Sequence, residues 1–307
     1  MHELLILLLV THLALAWSTL PTSLVSTARS PPSPTTALVM SSRIHSPSPT
    51  LPVSHQSIPT VPSSPPVLPT PFPQPFSAGI PSDNMSVACV NFFTNMTNSL
   101  AFRSCRPFSM LFDSSDDFMN SQTNLSLANI LVWATCNVTP GKDQCATNLE
   151  WFAGQLQMWC PRELQTNTPI ATDTLTGLRA YSLMYDAACH VDPATNSYCY
   201  VEAVQNSNPS DLYIYQLPLN IMFPNSANPT CSPCSKDIMN LYIAALQNPT
   251  LALDLNALVA TYNSGARALD TQCGSSFVTV INGAALRSTL SLVRPLSLTL
   301  ISLLLLL

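Results

Sequence analysis

The stretch CSPCSKDIMNLYIAALQNPTLALDLNALVATYNSGARALDTQCG, residues 231–274, decides the fold. Its apolar side chains recur every three or four residues in two series, which is the spacing of one face of an α-helix. The first series is Ile238, Leu241, Tyr242, Ala245 and Leu246, and the second is Leu255, Leu258, Val259, Tyr262, Ala266 and Leu269. Asn248-Pro249 interrupts the pattern, and Gly274 stands where the second helix would end. The stretch therefore predicts two amphipathic helices.

The same helical spacing recurs upstream of this stretch. One series is Cys145, Leu149, Phe152, Leu156 and Trp159, and another is Leu175, Leu178, Tyr181, Tyr185, Ala188 and Cys189. Residues 127–136 predict a further helix, whereas the proline-containing residues 211–229 predict a long irregular crossing segment. The chain has only seven glycines, and no Asn-Gly or Asp-Gly hairpin turn lies in this region. Both facts disfavour an all-β sandwich. We predict one all-α, disulfide-braced helical bundle over residues 83–282.

All ten cysteines lie within this predicted domain. An even number behind an export signal is typical of disulfides, here five, formed in an oxidising compartment. The cysteines are Cys89, Cys105, Cys136, Cys145, Cys160, Cys189, Cys199, Cys231, Cys234 and Cys273. Several stand where predicted helices end, so we expect disulfides to join one helix to another. Their pairing cannot be deduced from the spacing, because the possible connectivities are too many.

Two regions precede the predicted domain. Residues 1–16 contain an apolar run that ends in Ala14-Leu15-Ala16, the small-residue pattern of a signal-peptidase site. Residues 17–82 are dominated by Pro, Ser and Thr and contain no cysteine, and such a composition cannot bury enough apolar surface to fold. We predict a cleaved signal peptide followed by a disordered, O-glycosylated segment. A short membrane anchor and a propeptide are the respective alternatives.

The C-terminal region has the order of a glycosylphosphatidylinositol (GPI) attachment signal. Asn282-Gly283-Ala284 supplies three small residues, residues 285–295 form a spacer, and residues 296–307 form an apolar tail. A transmembrane helix over residues 290–307 is the alternative, but it would place Arg294 and Pro295 inside the hydrocarbon with no basic residues behind them. We predict attachment of the lipid at Asn282 and removal of residues 283–307.

Four Asn-x-Ser/Thr sequons predict N-glycosylation at exposed positions of the first third of the domain. They stand at Asn84, Asn95, Asn124 and Asn137. This distribution is compatible with one glycan-covered surface and one bare surface, and it is also compatible with chance clustering.

The Cys231-Ser232-Pro233-Cys234 motif is the strongest candidate for chemistry. A CxxC at a helix N-terminus can exchange disulfides, because this position lowers the pKa of a thiol. Redox motifs of this kind usually follow a strand in a βαβ unit, which the sequence does not predict here. We therefore predict a structural role for both cysteines.

No other group of residues forms a catalytic pattern. His190 is the one histidine of the domain, so there is no histidine cluster for zinc, and no Gly-x-Ser-x-Gly motif accompanies it. We expect His190 to cap carbonyl groups at a helix end. The acidic group Asp113, Asp116 and Asp117 does not match an EF-hand and is expected to be a solvated turn. We predict no catalytic residues, no metal and no cofactor, and hence no enzyme.

The positions of the tryptophans and the net charge of the domain further limit the classes of ligand and partner that we expect. Trp133, Trp151 and Trp159 fall on apolar faces of predicted helices, so we expect them in the core rather than at a ligand. Residues 83–282 carry seven Lys and Arg against fifteen Asp and Glu, a net charge of −8. Nucleic acid and anionic lipid bind clustered basic residues, so both are excluded as partners of the domain.

The stretch over residues 231–274, together with SCRPFSMLF at residues 104–112, resembles a family of fungal secreted, GPI-anchored, cysteine-containing proteins. The resemblance covers roughly the whole predicted domain. It implies a fungal cell-surface or cell-wall location and carries over no catalytic residue, because the family is uncharacterised. The eight-cysteine haem-binding module of fungal surface proteins shows no match.

Two functions from different classes follow from these features. The first is a GPI-anchored extracellular glycoprotein with a structural, adhesive or interaction role, held by its lipid at the outer leaflet and in contact with wall polysaccharide or surface proteins. The second is a carrier of an apolar small molecule, such as a lipid, sterol or haem, in a cavity lined by helices such as those containing residues 155–159 and 181–185. The same side chains would equally fill a solid core.

Overall fold

The computed structural model describes residues 52–281, and α-helices dominate them, which confirms the predicted all-α class. Nine helices lie in the first part of this range: α1 Val87–Asn98, α2 Leu100–Arg103, α3 Phe108–Ser114, α4 Asp116–Asn120, α5 Leu125–Cys136, α6 Lys142–Trp159, α7 Pro161–Gln165, α8 Pro169–Arg179 and α9 Tyr181–Ala188. Residues 1–51 and 282–307 lie outside the described part of the chain, and with them the predicted signal peptide, the lipid attachment site Asn282 and residues 283–307.

A two-stranded hairpin and five more helices complete the described chain. Strand β1, Val191–Asp192, pairs antiparallel with β2, Ser197–Tyr198, so that Val191 lies opposite Tyr198. The helices are α10 Cys199–Gln205, α11 Leu212–Gln216, α12 Pro233–Gln247, α13 Pro249–Asp254 and α14 Asn256–Cys273. Four short 3₁₀ helices lie between these elements, at Val53–His55, Ser121–Thr123, Pro209–Asp211 and Leu217–Leu219.

Local capping residues set several helix ends. The side chains of Ser86, Asn124 and Ser232 each accept a backbone N–H at the start of α1, α5 and α12, which satisfies a donor that has no partner inside the helix. Proline occupies the first position of α7, α8, α12 and α13, where its missing N–H costs nothing. Gly274 ends α14 with φ of +98°, a conformation that favours glycine.

The helices α5, α6, α12 and α14 confirm the predicted periodicities, and two other predictions need correction. The series over residues 175–189 is split at Ala180 into α8 and α9. The segment predicted to be irregular over residues 211–229 begins with α11 and a 3₁₀ helix, whose Ile214, Tyr215 and Leu217 are buried in the core. Burial of these side chains stabilises helical turns that the nearby prolines disfavour.

The predicted disordered segment also ends earlier than expected. Within residues 52–82, Val53, Val61 and Phe72 pack against the core, and the carbonyl oxygen of Thr60 accepts a 2.9 Å hydrogen bond from Nδ2 of Asn129. The carbonyl oxygen of Pro59 accepts another from the Ser197 hydroxyl, also at 2.9 Å. Side chains of the helical domain thus supply hydrogen-bond donors for backbone carbonyl groups that have no partner within the proline-rich segment. The ordered domain therefore begins by residue 52 rather than at residue 83.

All ten cysteines form disulfides, as predicted, and the structure supplies their pairing. The bonds are Cys89–Cys160, Cys105–Cys145, Cys136–Cys189, Cys199–Cys234 and Cys231–Cys273. Four of them join helix ends: α1 to α6, α5 to α9, the start of α10 to the start of α12, and the start of α12 to the end of α14. The domain is thus braced where its helices terminate, and a second core cluster of apolar side chains lies beneath α1, α2 and α6. In the described range, no helix has both the length and the apolar character needed to cross a membrane.

Candidate binding groove

A groove of about 910 Å³ lies between α1 and α6. Its volume is in the range that small-ligand sites occupy. Side chains of α1 and α6 line it, together with Ser99 and with Ala101 of α2. The lining residues are Val87, Ala88, Asn91, Phe92, Asn95, Met96, Ser99, Ala101, Asn148, Trp151, Phe152, Gln155 and Trp159. None of these residues carries a charge. We call this feature the α1/α6 groove.

Two contacts fix the register of the helices along the groove. At one end, the Cys89–Cys160 disulfide joins the start of α1 to the end of α6. At the other end, Nδ2 of Asn148 donates a hydrogen bond of 3.2 Å to the carbonyl oxygen of Ala101, just beyond α1. The helices therefore run antiparallel, with Cys89 of α1 beside Cys160 at the end of α6.

The groove has an apolar floor and an aromatic rim. Phe92, Met96 and Phe152 are 7%, 1% and 5% exposed and form the floor. Trp151 and Trp159, on the α6 side, are 59% and 48% exposed. The two tryptophans are eight residues apart on one helix, so they lie about 12 Å apart along its axis. This spacing suits an elongated ligand rather than a single small ring.

The exposure of Trp151 and Trp159 corrects the expectation that they belong to the core. The buried face of α6 consists of Cys145, Leu149, Phe152, Ala153 and Leu156. The two tryptophans lie on the neighbouring stripe of the helix. Trp133, on α5, is partly buried against the core as expected. An exposed pair of indole rings on a well-anchored helix is unusual in a structural surface and typical of a binding site.

Amide side chains provide the polar groups of the groove. Nε1 of Trp159 donates a hydrogen bond of 3.1 Å to Oε1 of Gln155. Among residues 52–281, Nδ2 of Asn91, Nδ2 of Asn95 and Nε2 of Gln155 donate no hydrogen bond to a protein group. Uncharged amides can both donate to and accept from hydroxyl groups. The groove therefore suits a neutral ligand with an apolar face and several hydroxyl groups.

A buried carboxylate anchors the α1 wall of the groove. Glu163 on α7 is 1% exposed, and its Oε1 accepts a 2.7 Å hydrogen bond from the backbone N–H of Ser86, the residue that caps α1. Desolvation would raise the pKa of Glu163, but the hydrogen bonds from Ser86 and the charge of Arg162 outweigh it and lower the pKa below its ordinary value. Its other oxygen, Oε2, has no hydrogen-bond partner within residues 52–281.

A second cleft, of about 800 Å³, differs from the groove in being charged. Its walls include Glu150, Arg179 and Asp254, as well as Lys142 bound to Asp186 at 2.6 Å. Burial, followed by repulsion from Asp254, raises the pKa of Glu150, while Arg179 opposes the shift. The charges of its acidic and basic side chains partly cancel one another. The aromatic residue in its lining, Tyr181, is buried, so this cleft offers no exposed ring on which a ligand could stack.

The two cysteines of the CxxC motif bond to different partners, Cys273 and Cys199, so the motif is a structural crossing point. Two clusters of metal-ligating residue types occur in the described range, one around Glu163 and one around Asp192 and Glu202. Each contains a disulfide-bonded cysteine. A sulfur in a disulfide is not a thiolate ligand, and neither cluster then retains a ligand set typical of zinc.

His190 does not cap a helix as expected. Its Nε2 lies 3.4 Å from Oδ2 of Asp237 on α12, while its backbone carbonyl accepts from the N–H of Cys199 at 2.9 Å. The acidic group is at the surface, with Asp116 and Asp117 in the first turn of α4, where the helix dipole favours them. Partial desolvation and the nearby Asp173 raise the pKa of Asp113 to about 6.

The side chains grouped in the carrier hypothesis do not share one cavity. Gln155 and Trp159 line the α1/α6 groove, whereas Tyr181 is buried in the second core cluster and borders the charged cleft. No sequence pattern predicts the α1 side of the groove, including Asn91 and Phe92, except that a sequon marks Asn95. All four sequon asparagines, at positions 84, 95, 124 and 137, are exposed.

Comparison with known proteins gives one match. A family model described as a domain of unknown function (DUF7729) matches residues 71–282, a range that contains the whole groove and all ten cysteines. No curated protein matches the chain significantly. No solved structure matches it significantly either.

Proposed function

This chain belongs to the family described as a domain of unknown function (DUF7729), and we propose that it is a non-enzymatic, surface-anchored glycoprotein that binds neutral carbohydrate in the α1/α6 groove. The observation that carries the proposal is the pair of exposed tryptophans, Trp151 and Trp159, on one helix beside uncharged amides. Since the family model reaches from residue 71 into the predicted attachment site, the groove belongs to the family's domain rather than to an added segment.

The chemistry of the groove matches a sugar chain. A pyranose ring has an apolar face of C–H groups that stacks on an indole ring, and its hydroxyl groups hydrogen-bond to amides. The side chains of Asn91 and Gln155 offer such amides next to the floor formed by Phe92 and Phe152. The absence of charge among the lining residues disfavours phosphate, sulfate or amine ligands, which are held by ion pairs.

The proposed location rests on the sequence. A signal peptide over residues 1–16, lipid attachment at Asn282 and sequons at Asn84, Asn95, Asn124 and Asn137 would place the domain outside the cell, on the outer leaflet. Five disulfides are compatible with that compartment. With the resemblance to fungal surface proteins, the carbohydrate would be a polysaccharide of a fungal cell wall, and the role would be adhesive or structural.

Carriage of an apolar molecule is the second candidate, and the apolar floor of the groove favours it. Phe92, Met96 and Phe152 would contact a lipid chain as well as they would a sugar face. The groove is open to solvent along its length, however, with Val87 and Trp151 on its rim 77% and 59% exposed. A carrier gains most by enclosing its ligand, because only enclosure removes the apolar area from water.

The test uses the full secreted chain and measures intrinsic tryptophan fluorescence during titration with linear neutral hexasaccharides of glucose, mannose or N-acetylglucosamine. At least one should change the emission saturably, and Trp151→Ala and Trp159→Ala should each weaken binding at least tenfold, or about 1.4 kcal/mol. Val67→Ala, at a side chain 92% exposed and remote from the groove in sequence, is the matched control. It should bind as the unmodified chain does.

Two results would reject the carbohydrate proposal. One is the lack of saturable binding to all three oligosaccharides. The other is binding that both tryptophan variants leave unchanged. Native mass spectrometry of the secreted protein, followed by organic extraction, addresses the second candidate: a stoichiometric lipid or sterol that Trp151→Ala releases would establish the carrier function in place of carbohydrate binding.

A further inference from the structure

We infer that the N-linked glycan of Asn95 lies in the α1/α6 groove and occupies the carbohydrate site of the same molecule. The inference rests on the proposed function, because it assigns to that site a ligand attached to the chain itself. It predicts that the groove binds added carbohydrate weakly while Asn95 is glycosylated and more tightly once the glycan is trimmed.

The position of the sequon is the first support. Asn95 lines the groove, and its exposed side chain belongs to Asn95-Met96-Thr97, the sequence that the glycosylation machinery recognises. The other three sequon asparagines are not groove residues: Asn84 precedes α1, Asn124 caps the start of α5, and Asn137 follows its end. Of the four predicted glycans, one alone is thus attached inside the groove.

The register of the two helices gives the second support. Asn95 lies six residues beyond Cys89 on the continuous helix α1. Residue 154 lies six residues before Cys160, the disulfide partner of Cys89, at the end of α6. Because the two helices run antiparallel, Asn95 is at about the level of residue 154, between the levels of the two rim tryptophans. A sugar attached to its Nδ2 begins midway along the groove.

The chemistry of the glycan gives the third support. An N-linked chain begins with N-acetylglucosamine, a neutral sugar whose ring face and acetyl methyl group can stack on indole while its hydroxyl and amide groups pair with side-chain amides. Nδ2 of Asn91 and Nε2 of Gln155 are groove amides without a partner within residues 52–281. The site proposed for an external neutral carbohydrate is thus also complementary to the first sugars of this attached one.

Attachment makes the internal ligand a strong competitor. A short flexible tether holds its end at an effective concentration in the millimolar range. If the attached sugar binds with a Kd of about 0.1 mM, an effective concentration of about 1 mM would weaken an added ligand about tenfold. Removal of the glycan should therefore tighten binding by about that factor.

The experiment compares the full chain with Thr97→Ala, both secreted from the same eukaryotic host. The substitution removes the sequon but keeps the Asn95 amide, and the Thr97 hydroxyl donates only to carbonyl groups of its own helix, such as that of Phe93 at 2.8 Å. Ser126→Ala, which removes the Asn124 sequon at an exposed position, is the matched control. Peptide mass spectrometry measures the occupancy of Asn95, and hydroxyl-radical footprinting measures the oxidation of Trp151 and Trp159.

We expect an occupied Asn95 and protection of both tryptophans in the unmodified chain and in Ser126→Ala. In Thr97→Ala their oxidation should rise at least threefold. An endoglycosidase that leaves one N-acetylglucosamine on the folded, unmodified chain should produce a smaller rise, which covers the case in which Thr97→Ala is not secreted. An unoccupied Asn95, or equal oxidation in all samples, overturns the inference.

Titration of the same samples with the oligosaccharides separates the two proposals. About tenfold tighter binding by Thr97→Ala than by the unmodified chain supports both. Equal affinity overturns the inference and leaves carbohydrate binding in place. If Thr97→Ala binds no added oligosaccharide although its tryptophans are newly exposed, the proposed function fails while the attached glycan remains the occupant of the groove.

Discussion

Replacement of Glu163 by Gln tests how the α1 wall of the groove is anchored. The carboxylate accepts a buried hydrogen bond from the N–H of Ser86 at 2.7 Å, and a net hydrogen bond to a charged group contributes about 1.5–3 kcal/mol against about 0.5–1.5 kcal/mol for a neutral pair. Negative charge at the N-terminus of a helix adds about 0.3–1 kcal/mol. Arg162 contributes little, because its side chain is 60% exposed. Glu163→Gln should therefore destabilise the domain by about 1–2 kcal/mol at pH 7.

The stabilisation by Glu163 should depend on pH, and the direction of its pKa shift determines whether this stabilisation grows or shrinks as the pH falls. The pKa of Glu163 is lowered in the folded state, so its ionised form stabilises the fold above the unfolded-state pKa of about 4.3, and this contribution is lost as the pH falls through the folded-state value. Urea unfolding with the disulfides intact should show a difference in the free energy of unfolding between the unmodified chain and Glu163→Gln at pH 7, and this difference should narrow as the pH falls below about 4.3. A difference that is absent at pH 7, or unchanged at pH 3, would refute the reasoning.

Glu150→Gln is the matched control, because the same measurement should give the opposite sign. Burial and Asp254 raise the pKa of Glu150 in the folded state. Ionisation of Glu150 therefore destabilises the fold, and the free energy of unfolding decreases as the pH rises from the unfolded-state pKa through the folded-state pKa. Its replacement by Gln should leave the domain at least as stable as the unmodified chain at pH 7. A loss equal to that of Glu163→Gln would show that removal of any carboxylate has the same effect.

Two further predictions concern the helix α6 and its covalent anchor. Gly154→Ala should raise the free energy of unfolding by about 0.5–1 kcal/mol, because a Cβ there meets no atom within 4 Å. Gly177→Ala is the control and should show no such gain, because its Cβ would lie 2.5 Å from Sδ of Met110. Equal gains for both variants in thermal unfolding would contradict the packing described. Replacement of both Cys89 and Cys160 by Ser should destabilise the domain by about 4 kcal/mol, because it frees a loop with a sequence separation of 71 residues; a urea midpoint close to that of the unmodified chain would be inconsistent with this value.

The helices with long apolar series were predictable from the sequence. In α14 the buried Leu258, Tyr262, Ala266 and Leu269 repeat at helical spacing, and Gly274 ends the helix. In the segment after residue 211, by contrast, burial of Tyr215 and Leu217 against distant parts of the chain decides the structure. Residues 52–82 are a similar case, because the groups that bind their backbone, such as Asn129 and Ser197, are far away in sequence.

The candidate groove could be predicted only in part. The sequence places Trp151, Gln155 and Trp159 on one stripe of a helix, but the stripe borders the buried face, so periodicity does not distinguish a rim from a core. What decides the exposure is the neighbour, α1, and the contact with α1 depends on the disulfide pairing. Because ten cysteines have many possible pairings, the α1 side of the groove could not be assigned before the structure.

The pairing of the cysteines divides the chain into two covalently closed parts. Every peptide bond between Cys89 and Cys189 lies inside at least one disulfide loop, as does every bond between Cys199 and Cys273. A single proteolytic cut in either part leaves the fragments covalently joined, whereas a cut in the β1–β2 hairpin, whose tip over residues 193–196 is exposed, leaves the two parts held together by noncovalent packing, such as the contact of Phe108 with Tyr200. The hairpin is therefore the exposed place where one cut ends the covalent link between the two disulfide-closed parts, while packing in the shared core still holds the groove-bearing part to the other.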